Sequence, residues 1–257
     1  MAIGRRNCYW VALFLSLIGA ISCDDDKPQR NPFDPPPNAP KPAPSVTEVP
    51  KPQGPPELSI DVSGPKVGFS RILIQKPEDY DKLQKEIEGV RNEFSGKEAH
   101  IVAAREANTQ WVVAMLKDLE AIGASALSVR TPTRKEFSSE LEFLPLQKAA
   151  SRPSCSVVAT VRDDRGTAVW RLSGGTASKR SKGLAGPDLS MTADTLERYY
   201  KGCKQSDTLF VSGAEGIEWG LVYDLAASAK KLEKAHFEHL ALLSESPTAG
   251  RPVRLAH

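Results

Sequence analysis

The sequence predicts an α+β protein of two tandem two-layer ββαβαβ units, each a mixed sheet with two helices on one face. Three observations predict it. His100–Thr131 (HIVAAREANTQWVVAMLKDLEAIGASALSVRT) reads as strand, helix, strand. Thr208–Ser244 repeats the pattern, again with a small-residue turn, a Glu and a Trp near the helix start. Each copy follows a strand pair and an amphipathic helix. So short a strand–helix–strand connection makes a right-handed parallel crossover.

In the first unit, LSIDV (58–62) alternates apolar and polar residues as a strand does. Gly64-Pro65 is a turn signal, and Val67–Ile74 gives a second strand. Pro77-Glu78-Asp79 opens a helix, with proline and acids suited to its first turn. Tyr80, Leu83, Ile87, Val90 and Phe94 share its apolar face, and Gly96 ends it. Residues 136–153 read as a polar connector, with a short strand or turn at Leu141–Leu146. In the second unit, Ser156–Val161 and Thr167–Leu172 flank the hairpin signal Asp163-Asp164-Arg165-Gly166. Ser173–Ser190 is a Gly-rich basic loop. Leu196, Tyr199, Tyr200 and Cys203 mark the helix that follows.

The chain thus divides into a signal peptide (1–22), a lipidated Cys with a Pro-rich linker (23–57), a first unit (58–135), a connector (136–153), a second unit (154–245) and a disordered tail (246–257). Charges nearly cancel, 34 Lys+Arg against 32 Asp+Glu, which gives no argument for a nucleic-acid partner. Arg5 and Arg6 precede the apolar run Cys8–Ser22, which is too short to span a bilayer comfortably. Leu17–Cys23 resembles a bacterial lipobox with Cys23 as the acylated residue. An uncleaved anchor and ordinary secretion are the alternatives. Lipid on Cys23 would hold the chain on the periplasmic side of a membrane, inner or outer left open. Twelve of the 20 prolines fall between Pro28 and Pro56. That stretch is an extended tether with a reach of roughly 100 Å.

These residues resemble the periplasmic domain of the ExbD/TolR biopolymer-transport family. Ile217-Glu218-Trp219-Gly220-Leu221-Val222 looks like its helix start. Val112-Val113 through Leu119-Glu120-Ala121-Ile122-Gly123 looks like its helix and stop, and Leu127-Ser128-Val129 like its final strand. The family's aromatic falls on Thr109, two residues from the register that aligns Trp111 with Trp219. Family members carry a transmembrane helix with a proton-coupling Asp. Cys8–Ser22 has no carboxylate, so the chain is expected not to conduct protons. Since members dimerise, two units in one chain imply an intrachain pseudo-dimer.

Four residues are candidates for partner binding. Trp111 and Trp219 either pack helix onto sheet or anchor a partner at a strand end. Glu106 and Glu215 are either first-turn acids favoured by the helix dipole or contacts to a cationic peptide or peptidoglycan amine. His236 and His239 would diverge on a strand, so no metal is expected. A Cys155–Cys203 disulfide is not favoured: a helix leaving a two-strand hairpin would end at the far end of the first strand. The basic loop with Lys179, Arg180 and Lys182 lacks phosphate-loop order and reads as solvated, with an anionic polymer as the alternative. No motif implies a cofactor or an enzyme.

The expected function is a membrane-tethered envelope binding or assembly module of the biopolymer-transport type. Its partners would be an envelope protein, an extended peptide or peptidoglycan. The alternatives are an accessory subunit of an ExbB/ExbD- or Tol-type energy-transducing complex, and an envelope enzyme.

Overall fold

The computed structural model describes residues 54–150, 155–173, 175–185, 189–203 and 206–253. Residues 1–22, expected to be a signal peptide, Cys23, most of the expected linker and residues 254–257 lie outside the described residues. Among the described residues the architecture is mixed α/β, one 11-stranded mixed sheet with six α-helices.

β1 (Leu58–Asp61), β2 (Gly64–Val67) and β3 (Ser70–Arg71) form an antiparallel meander. The turn expected at Gly64-Pro65 lies instead at Val62–Ser63. Gly64, at φ 122°, begins β2 against the Ile72 carbonyl, where any Cβ would collide. A 3₁₀ turn leads into α1 (Tyr80–Gly89), which buries Leu83 and Ile87. The short α2 (Arg91–Phe94) buries Phe94. Then come β4 (Glu98–Ala103), α3 (Thr109–Ala121) and β5 (Ala126–Arg130). β1, β4 and β5 are parallel, as the crossover pattern requires.

The stretch expected to be a connector supplies the middle of the sheet. β6 (Glu140–Phe143) runs antiparallel to β5, and α4 (Leu146–Ala150) follows. The remaining elements are β7 (Cys155–Val161), β8 (Gly166–Ser173), β9 (Thr176–Ala185), α5 (Ser190–Gly202), β10 (Thr208–Gly213), α6 (Trp219–Ala229) and β11 (His239–Leu242). β7, β10 and β11 are parallel to one another. The strand order is β3-β2-β1-β4-β5-β6-β11-β10-β7-β8-β9. β6 meets β11 through the single parallel pair Phe143 and Leu240.

Two sequence expectations fail together here. The basic stretch after β8 is a strand, β9, and not a loop. A third strand returns the chain to the other end of the sheet, so α5 runs opposite to the direction a two-strand hairpin would give. Its end therefore lies beside the start of β7. Cys155 and Cys203 form a disulfide with Cα atoms 5.4 Å apart, within the range such a bond permits.

α1, α3, α6 and α5 touch in that order and share one buried core with the sheet. β4 alternates: Ala99, Ile101 and Ala103 face this core, while Glu98, His100 and Val102 are exposed. β10 is buried at every position, because Phe210 enters a second core on its other face. Leu146 and Ala149 of α4 cover that face, with Val253 packed against it. Residues 246–253, expected to begin a disordered tail, are instead engaged. Ser246 Oγ lies 3.1 Å from Thr160 Oγ1, and the Gly250 amide donates to the Ala177 carbonyl at 3.0 Å. Among the described residues no helix is long and apolar enough to cross a membrane.

Candidate ligand cleft at the carboxyl end of the parallel strands

β10 and β11 end side by side, and the loops that leave them open a cleft against α3. Crevices outside the carboxyl ends of parallel strands are the usual ligand positions in such sheets. The cavity has a volume of about 560 Å³, within the range of small-molecule sites. Gln110, Val113, Ala114 and Lys117 form its α3 wall. Their spacing puts them on one helix face. The β10 loop gives Gly213, Ala214 and Glu215, the β11 loop Ser244, Glu245 and Ser246, and α1 gives Tyr80.

Local chemistry fixes each wall. The Asn108 side chain caps α3 by accepting from the Gln110 amide at 2.9 Å. Gln110 Nε2 donates to the Gly213 carbonyl at 3.4 Å. A Cβ at Gly213 would lie 2.8 Å from Val222 Cγ2 and 3.1 Å from Thr109 Cγ2, so glycine permits the close approach of β10 to both helices. Burial and the nearby Glu215 carboxylate both raise the Tyr80 phenol pKa. Next to Lys117, burial lifts the Asp118 carboxyl to about 6 although Lys117 opposes it.

The loop after β4 has a different fate. Arg105 folds onto α6, donating to Asp224 from Nη1 at 2.9 Å and Nη2 at 2.8 Å. It also donates to the carbonyls of Pro132 (3.1 Å) and Gly220 (3.4 Å). Asp224 is nearly buried and accepts from Thr133 Oγ1 at 3.1 Å as well. A Cβ at Gly220 would lie 2.9 Å from Arg105 Cβ, so this glycine admits the arginine. Between the two loops the backbones exchange bonds: the Thr109 amide donates to the Ile217 carbonyl at 3.0 Å, and the Trp219 amide to Ala107 at 2.7 Å.

The four candidate residues separate. Trp219 is fully buried, donates Nε1 to Thr131 Oγ1 at 2.8 Å and packs against Phe143 and Tyr223. It is a packing residue and offers no surface to a partner. Trp111 is partly buried against the same core. The two do not match: Trp219 is the first residue of α6, whereas Thr109 is the first of α3. Neither glutamate is a first-turn acid. Glu106 and Glu215 both precede the N-cap residues, Asn108 and Glu218. Glu106 is exposed outside the cleft lining, and Glu215 lines the cleft.

Two further clusters were not foreseen. On the exposed sheet face, Ser128 Oγ lies 2.6 Å from His100 Nδ1, and Glu140 Oε1 lies 3.2 Å from the same nitrogen. A nucleophilic triad needs its hydroxyl and carboxylate on opposite ring nitrogens; the carboxylate on the other nitrogen, Glu98, is 3.7 Å from Nε2, beyond hydrogen-bond distance. His239 does not join His236. Its ligand atom lies within 4.8 Å of those of Asp207 and Glu238. The Lys230 ammonium is bound to the Phe237 and Glu238 carbonyls next to it, at 2.9 and 2.7 Å.

No protein-family model matches the chain. No curated protein matches it either. Among solved structures, ethanolamine utilization protein EutJ from Carboxydothermus hydrogenoformans is similar at 10% identity, over 74% of this chain and 87% of that one. Its TM-score of 0.24 is too low to carry an argument.

Proposed function

We propose that the chain is a membrane-tethered envelope binding module of the biopolymer-transport type, not itself proton-conducting, and that the open cleft is its binding site. In this reading the sheet comprises two ββαβαβ-type units arranged as an intrachain pseudo-dimer. Each half has the same strand order outward from the middle, β5-β4-β1-β2-β3 and β11-β10-β7-β8-β9. The reciprocal bonds between 107–109 and 217–219 are those expected across a local two-fold. That relation pairs Thr109 with Trp219, the register that the ExbD/TolR resemblance requires. The Cys155–Cys203 disulfide favours an oxidising compartment such as the periplasm.

The observation that carries the reading is an asymmetry. By strand register, Ala104 and Ala214 correspond, each donating its amide to the neighbouring parallel strand, at Ile60 and Val161. Arg105 then corresponds to Glu215 and Asp224 to Ala114. One cleft is sealed by the chain's own Arg105–Asp224 pair, and the other is open. A partner segment of an envelope protein is the occupant that suits a tethered domain.

Pull-down from solubilised membranes with full-length protein and its Ala114→Trp variant tests this. A partner captured by the wild type and lost by the variant is expected. The same partners in both would refute the cleft. Separately, Cys23→Ala is expected to move the protein from the membrane to the soluble fraction; retention on the membrane would refute a lipid tether at Cys23.

A further inference from the structure

We infer that the open cleft recognises a cationic amino-acid side chain, a guanidinium or primary ammonium group, with Glu215 as its counter-ion. The inference rests on the cleft being the binding site and names its ligand class. The molecule carries its own template. In the sealed cleft a guanidinium lies between a strand-end loop and a helix, paired with the Asp224 carboxylate and with the carbonyls of Pro132 and Gly220. In the open cleft the corresponding positions carry the opposite chemistry. Glu215, an exposed carboxylate, stands where Arg105 stands, and Ala114 stands where Asp224 does.

The exchange removes the internal cation and leaves space and an acid. Lys117 lines the same cleft on its α3 wall. Val113, Ala114 and Ala214 give apolar surface for a methylene stem, and Ser244 and Ser246 give hydroxyl acceptors. Lys117, one turn along α3 from Val113, suits a main-chain carbonyl of the same segment. The fitting group is therefore an arginine or lysine side chain of a partner segment, for which free arginine is the simplest probe. A charge-assisted bond is about twice as strong as a neutral one, so an uncharged isostere separates this recognition from shape alone.

The test is isothermal titration of detergent-solubilised full-length protein with L-arginine, and with L-citrulline as the uncharged isostere. Arginine is expected to bind saturably, with citrulline at least tenfold weaker. Glu215→Gln, at an exposed loop position, is expected to weaken arginine about tenfold. Ala114→Trp is expected to abolish binding, with unchanged circular dichroism showing that it folds. Equal binding of citrulline and arginine, both lost in Ala114→Trp, would overturn the cationic class and keep the cleft. Arginine binding that survives Ala114→Trp would overturn the cleft itself. No saturable arginine binding to the wild type would overturn the inference.

Discussion

Removing both partners of the Arg105–Asp224 pair should cost no more than removing one. Asp224 has 8% side-chain exposure and Arg105 31%, and two bonds of 2.8 and 2.9 Å join them. Breaking a buried pair by deleting one member costs about 3–5 kcal/mol, because a charge is left buried without its partner. Partial exposure of Arg105 places both Arg105→Met and Asp224→Leu near 3 kcal/mol on that scale. Arg134 Nε, 3.9 Å from Asp224, softens the loss of Arg105 slightly. The double variant leaves no orphan charge and should cost about 3 kcal/mol in total, not 6, a coupling near 3 kcal/mol. Urea unfolding followed by tryptophan fluorescence reads all four corners of the cycle. Single-variant costs that add to within about 0.5 kcal/mol would show that the pair is not coupled and would remove the physical basis for calling that cleft sealed.

Two other outcomes follow from the same fold. The Asp118 carboxyl, lifted by burial to about 6 from the usual 3.8, stays protonated in the fold where the unfolded chain releases its proton. Its stabilising contribution is full below about pH 4 and lost as pH rises through about 6, so Asp118→Asn should flatten this slope. After discounting for partial exposure, it should also gain about 1 kcal/mol above pH 7; an unchanged melting profile between pH 4 and 7 would contradict this. The disulfide spans a sequence separation of 48, for which chain entropy gives about 4 kcal/mol. Cys155→Ser should therefore lower the melting temperature by roughly 10 °C in oxidising buffer and by nothing under reductant; equal drops in both buffers would mean that the bond is not the cause.

Legibility followed the physics of each element. β1, β4, β7, β8 and β10 were visible because apolar side chains recur at strand spacing, and the main helices because theirs recur at helical spacing. β9 was not, since TASKRSKGLA has no apolar face and is a strand through its pairing with β8. That one omission reversed α5 and concealed the disulfide. β6 was seen only as a short strand or turn, because nothing local to Glu140–Phe143 shows that it lies between β5 and β11. In the cleft, Glu215 was named. Tyr80, Gln110, Lys117 and Ser244 come from three other segments that only tertiary folding assembles. Asp224 was legible in retrospect: a lone acid in WGLVYDLAASA must meet a cation if that helix is buried.

The engaged C-terminal segment bears on how many molecules stand together. A sheet of eleven strands has two free margins, each able to accept a strand from a neighbour. At one margin β3 is only two residues long, too short to template much. At the other, Arg251 and Val253 bond to Ala177 and Gly175 at the start of β9. The chain thus lays its own end along the margin where growth by strand addition would begin. Residues 250–253 help to keep each molecule discrete, and removing them is a route to unwanted edge-to-edge assembly.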